Sequence, residues 1–194
     1  MSGDVLRELR TATAAEHERV ETALALTDPH LDRDRVVAVL GRLHAFWRVA
    51  DAGLDAWAAR HPADAAALRW DRRRRAGLYA ADLAALGAPP AADDLPALPD
   101  VPGTGEALGR LYVTEGSTLG GTFIDRHLAT LPALAGGPRL RAFSPYGEDT
   151  GAMWAAFRRA ARAHVAGGGD AARVVTAARA TFAVLADWCA PAAR

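Results

Sequence analysis

Apolar residues recur along this chain at steps of three and four almost from end to end, the spacing of one face of an α-helix. Leu6, Leu9, Thr13, His17, Val20 and Leu24 form a first stripe, which the Asp28-Pro29 step breaks. Val36, Val39, Leu40, Leu43, Trp47, Ala50, Leu54 and Trp57 form a second, ending near His61-Pro62. A third helical stretch is predicted over 63–86, with Gly87 and then Pro89-Pro90 as its stop. Pro89, Pro90, Pro96, Pro99 and Pro102 make residues 88–103 a rigid, extended connector rather than a domain boundary. Helical spacing resumes over 105–131, interrupted by Gly116, Gly120 and Gly121. A turn-rich stretch around 136–147 leads to a helix over 149–165, which Gly167, Gly168 and Gly169 end. Asp170 then caps a last helix running to residue 188. No alternating strand pattern and no internal repeat emerges, so the expectation is one all-α domain spanning 1–194, its helices packed around an interior site.

Composition narrows the function classes. The chain has 194 residues, enough for one sizeable core. Basic and acidic residues balance at 23 each, so net charge points to neither nucleic acid nor a membrane as the main partner. Lys, Asn and Gln are absent, so any cationic contact to a ligand must come from Arg or His. Cys189 is the lone cysteine, which rules out an intrachain disulfide and a thiolate cluster. The opening MSGDVLREL has no apolar signal core and no apolar run reaches membrane-spanning length, so the protein is expected in the cytoplasm.

Two stretches carry chemistry. His17 sits on the first apolar stripe, where an imidazole is either a hydrogen-bonded core residue or a ligand. Glu21 follows one turn later, within reach of the ring nitrogen not bound to a metal, as suits a carboxylate that orients a ligating histidine. Arg10 lies two turns back on the same side, placed for a ligand carboxylate along the helix. The second stretch is GRLYVTEGSTLGGTFI, residues 109–124. Gly within a helix costs roughly 1 kcal/mol against Ala, and this chain uses Ala freely. Gly116, Gly120 and Gly121 therefore imply either a close helix crossing or a flat ligand laid on the backbone. Ser117 and Thr118 supply hydroxyls there for water or freed carbonyls.

LRTATAAEHERVE (9–21) resembles the proximal helix of haem oxygenases, and LYVTEGSTLGG (111–121) resembles their distal helix. The form GSTLGG, with FSPYGEDTGAMWAAF (143–157) and WDRRRRAGLYAADLAALG (70–87), is similar to the bacterial branch found beside bacteriophytochromes. The resemblance implies an all-α fold with haem sandwiched between a proximal and a kinked distal helix. Haem would be cofactor and substrate at once, opened with O2 and external electrons to biliverdin, CO and ferrous iron. It makes His17 the axial iron ligand and Glu21 its supporting carboxylate, with Arg10 on a propionate. Gly116, Gly120 and Gly121 would flank the distal face, with Ser117 where animal members carry an aspartate, holding the distal water. Thr13 and Tyr112 join the expected haem-binding set, and Arg158 and Arg162 are candidates for a second propionate, with Arg159 as an alternative. The electron donor would be ferredoxin, flavodoxin or another reductase, and a phytochrome is a possible recipient of the product. The alternative is a protein that stores, senses or transports haem through the same histidine.

Other residues attract blander expectations. His44 and His127 are expected in the core or at a pocket edge, His164 near a helix C-terminus, and His30 and His61 at helix boundaries. Tyr112, Phe123, Tyr146, Trp154 and Phe182 could line a porphyrin pocket, although aromatics at helical spacing are more often core. The Arg72–Arg75 run is expected on a solvated face, with a landing surface for an acidic electron donor as the second option. A ferritin-like di-iron site would need Glu-x-x-His pairs, and none of the six histidines has Glu three residues before it. A thiaminase-like enzyme would need a better-placed nucleophile than Cys189.

Overall fold

A computed structural model describes residues 4–89 and 94–190, so residues 90–93 of the expected proline connector lie outside the described residues. Eight α-helices, with short 3₁₀ turns between some of them, make up the regular structure, and no strand occurs among the described residues.

The first stripe forms two helices rather than one. α1 (Val5–Ala12) stops at Thr13, whose backbone leaves helical geometry at φ −106°, ψ 4°. Its hydroxyl donates to the Leu9 carbonyl at 2.8 Å, a bond that competes with the helical ladder. α2 (Ala14–Leu24) continues from there and closes on Ala25 in the left-handed region.

α3 (Arg33–Arg60) starts where the Asp32 carboxylate accepts from Arg35 N at 2.7 Å, and it buries the whole second stripe. His44 is buried on this helix, as expected, and burial together with nearby Arg48 pulls its pKa below the ordinary 6.5. A depressed folded-state pKa contributes stability above about pH 6.5 that is lost as pH falls, at about 1.4 kcal/mol per unit of depression. Melting curves from pH 7.5 to 5.5 should therefore show a smaller loss for His44→Gln than for the natural chain; equal losses would remove His44 as the cause.

The expected helix over 63–86 is broken in the middle. α4 (Pro62–Ala67) gives way to a 3₁₀ turn at Trp70–Arg72, and α5 (Ala76–Ala85) ends before Gly87 at φ +65°. The arginine run between them corrects the solvated-face expectation for two of its four members. Arg73 and Arg75 are only 1 % and 2 % exposed, while Arg72 and Arg74 turn outward to Asp149 and Asp55. The inward pair meets a buried carboxylate, Glu115, far along the chain, which a local pattern cannot reveal.

α6 (Thr104–Thr130) runs unbroken through its glycines, α7 is Thr150–Ala166, and α8 (Ala171–Cys189) begins on the Asp170 carboxylate as predicted. α8 is the central post, packed by α6, α2, α1 and α3. Gly109 permits the α6–α8 crossing. A methyl there would lie 2.6 Å from Ala177 Cβ and 2.8 Å from Ala178 N, and closer still to the Val174 carbonyl. No helix among the described residues is long and apolar enough to cross a membrane.

Candidate active site

α2 and α6 both rest on α8 but scarcely touch each other, and the space between them over α8 is the candidate cleft. Phe182 of α8 marks that base. The His17 ring meets it edge-on at 5.7 Å, and the Tyr112 ring of α6 meets it at 6.4 Å. Tyr112 also lies beside Thr13, which is buried where α1 passes into α2. The two walls come together near Tyr112 and Thr13. One turn further along each helix come His17 and Gly116.

His17 departs from the buried position its stripe suggested. Its side chain is 56 % exposed. Glu21 Oε2 lies 3.6 Å from His17 Nδ1, longer than a hydrogen bond but within reach of one after a small rotation. Such a carboxylate on Nδ1 leaves Nε2 as the nitrogen available to a ligand in the cleft. Arg10 is exposed, makes no ion pair among the described residues, and lies close enough for its charge to act on the Tyr112 phenol. Burial outweighs that charge and pushes the Tyr112 pKa up.

The glycines of α6 separate into two kinds. A methyl on Gly116 or Gly120 would meet nothing within 4 Å. Leu119 and Phe123, on the same helix face, are 49 % and 64 % exposed, so this face is an open apolar bed with its backbone laid bare. Gly121 departs from the expected distal trio: its bare side packs on the carbonyl of Phe143, well inside van der Waals contact of any methyl placed there. Ser117 is exposed beside the open face, and its hydroxyl donates to the Thr114 carbonyl at 2.8 Å. Thr118 is buried, donating to the Glu115 carbonyl at 2.8 Å, and does not reach the cleft.

The two arginines of α7 also differ. Arg162 is held in a two-pronged pair by Asp4 at 2.8 and 3.1 Å, so it is not a free anion contact as the sequence suggested. Arg158, one turn earlier, is exposed and makes no ion pair among the described residues. Trp154 and Phe157 stack at 5.1 Å and extend the aromatic wall from Tyr112. Tyr146 lies elsewhere, donating its hydroxyl to Glu115 Oε1 at 2.8 Å. His127 bonds the Asp28 carbonyl at 3.1 Å and His61 approaches the Pro102 carbonyl at 3.4 Å.

A bare metal ion needs several convergent protein ligands. Among the described residues no group of three His, Cys, Asp or Glu converges. The single imidazole instead suits a metal that arrives with its other ligands. A flat apolar ligand that carries both a metal and carboxylates fits the bed, the histidine and Arg10 together.

No curated protein matches the chain. Among solved structures, the NO- and CO-bound heme oxygenase from Neisseria meningitidis superposes with a TM-score of 0.80, covering 99 % of this chain and 93 % of that one. At 24 % identity that likeness speaks for the fold. Residues 4–190 match the family described as heme oxygenase, and the chain belongs to that family.

Proposed function

We propose that this protein cleaves haem oxidatively to biliverdin, CO and ferrous iron, using O2 and electrons from an external donor. The observation that carries the reading is the half-exposed His17, backed by Glu21, on a cleft whose other wall exposes the glycine backbone at 116 and 120. Haem when bound supplies the iron and the oxygen chemistry and is itself the substrate. His17 would hold the iron through Nε2, and Glu21 would orient the ring from Nδ1. Arg10 and Arg158, which make no ion pair among the described residues, would meet the propionates, and Arg162 could join only by leaving Asp4. Thr13 and Tyr112 close the cleft at the end where the helices meet.

Gly116 and Gly120 let the macrocycle approach the α6 backbone, closer than a storage protein requires, which favours catalysis over the storage, sensing or transport alternative. Ser117 would hold a water and pass protons on the distal side, the role given to an aspartate in animal members. The donor is expected to be a ferredoxin, flavodoxin or other reductase, in the cytoplasm of a bacterium, with a phytochrome as a candidate recipient of the biliverdin.

The test is an optical titration with haemin, followed by ascorbate or a ferredoxin reductase system in air. A stoichiometric Soret band that gives way to biliverdin absorbance is the expected result. A Soret band that persists under both reductants would point to haem storage, and absence of the band would sink the haem reading. Within the same assay His17→Ala should change the Soret band and abolish turnover, and Glu21→Gln should weaken haem binding about tenfold.

A further inference from the structure

The back of α6 is gripped just where its front is open. Glu115 precedes Gly116 and is 1 % exposed, its carboxylate turned away from the cleft. Three donors hold it: Arg73 Nη1, Arg75 Nη2 at 3.1 Å, and the Tyr146 hydroxyl at 2.8 Å. Each donor is anchored in turn. Arg73 also donates to the Leu68 carbonyl and, at 3.2 Å, to the Met153 carbonyl of α7. The backbone of Arg75 and Ala76 is held by Asp51 of α3 at 2.8 and 2.9 Å. The Arg75 guanidinium lies over the Tyr146 and Trp47 rings at 4.7 and 5.7 Å. Less than two turns on, Gly121 presses against Phe143, in a loop that Asp82 pins through Arg141 N and Ala142 N.

Between and beside these two fixed points the helix carries residues that soften it. Thr114, Ser117 and Thr118 turn their hydroxyls back onto carbonyls three residues earlier, which loosens the helical ladder. Gly116 and Gly120 add backbone freedom and find no neighbour on the cleft side. The rotation of this segment about its axis therefore depends on what holds it, the polar grip on Glu115 included.

We infer that Glu115 is a positioning residue: held by Arg73, Arg75 and Tyr146, it fixes the rotation of α6 and keeps Gly116 and Gly120 turned to the cleft. Only the product readout below rests on the haem-cleaving reading. Tyr146→Phe is the chosen variant, because it removes one donor and leaves both arginines in place; Glu115→Gln is the second, keeping shape while neutralising the acceptor.

Amide exchange on the ligand-free protein should accelerate about fivefold or more over residues 115–121 of Tyr146→Phe while residues 107–111 of the same helix keep their rates. The biliverdin isomer ratio of the haem-loaded protein should shift in the same variant, and further in Glu115→Gln. Uniform acceleration along α6, or none, overturns the inference, because a merely structural contact acts through global opening. Local acceleration with an unchanged isomer ratio overturns it as well. If the natural chain fails to open haem, the proposed function falls, and the exchange pattern alone decides the role of Glu115.

Discussion

Gly121→Ala is expected to destabilise the protein by roughly 3 kcal/mol or more, at the upper end of overpacking effects, although alanine is the better helix former. The added methyl would be driven into the Phe143 carbonyl oxygen, a backbone atom with no rotamer to escape into. The loop that carries it cannot retreat freely either, since Arg141 N and Ala142 N are both bonded to Asp82 at 2.8–2.9 Å. Gly116→Ala, five residues earlier, should do the reverse. Its methyl meets nothing within 4 Å, so the ligand-free protein should gain about 1 kcal/mol from helix propensity. That same methyl would stand on the exposed bed beside Leu119 and Phe123, so haem affinity and ring opening should fall. Urea unfolding of both variants, paired with haemin titration, checks the contrast. Equal destabilisation by the two substitutions would mean that the cleft face of α6 is packed rather than open.

The same two glycines show how far the sequence could be read. Spacing flagged 116, 120 and 121 together and offered crossing or ligand approach as alternatives, whereas the structure separates them: 116 and 120 meet open space, and 121 packs on a loop. Residues 116 and 120 share a face because they lie four apart, whereas 121 turns to the loop and 109 to α8. Which face meets open space depends on partners remote in sequence, so periodicity alone could not sort them.

Long amphipathic elements were legible for the same physical reason that they form: α3, α6, α7 and α8 each show a continuous stripe and a chemical stop. Thr13 was not legible as a break, because it kept the stripe in register while its hydroxyl took a backbone acceptor. The arginine run misled more deeply. Side chains that alternate in and out over four residues look like a charged surface until Glu115 is known to lie beneath two of them.

That buried cluster yields the second large effect. Arg73→Met should destabilise by about 3–5 kcal/mol, the range for removing one partner from a buried ion pair. The substitution strips Glu115 of one donor and leaves the Leu68 and Met153 carbonyls without their bonds. Glu115→Leu should be at least as damaging, since it leaves two buried guanidinium groups without a carboxylate. Attraction between the charges does little more than offset their desolvation, so an apolar replacement of the whole cluster is a fair rival to it. The triple variant Arg73→Met, Arg75→Met, Glu115→Leu should therefore recover most of the loss seen in either single variant. Denaturant unfolding of the three proteins separates the cases. Recovery in the triple variant would show that this fold tolerates an apolar junction there, leaving positioning of the α6 glycines as the reason for burying three charged side chains behind the cleft. Additive losses would instead make the cluster a net source of stability and remove the need for any such reason.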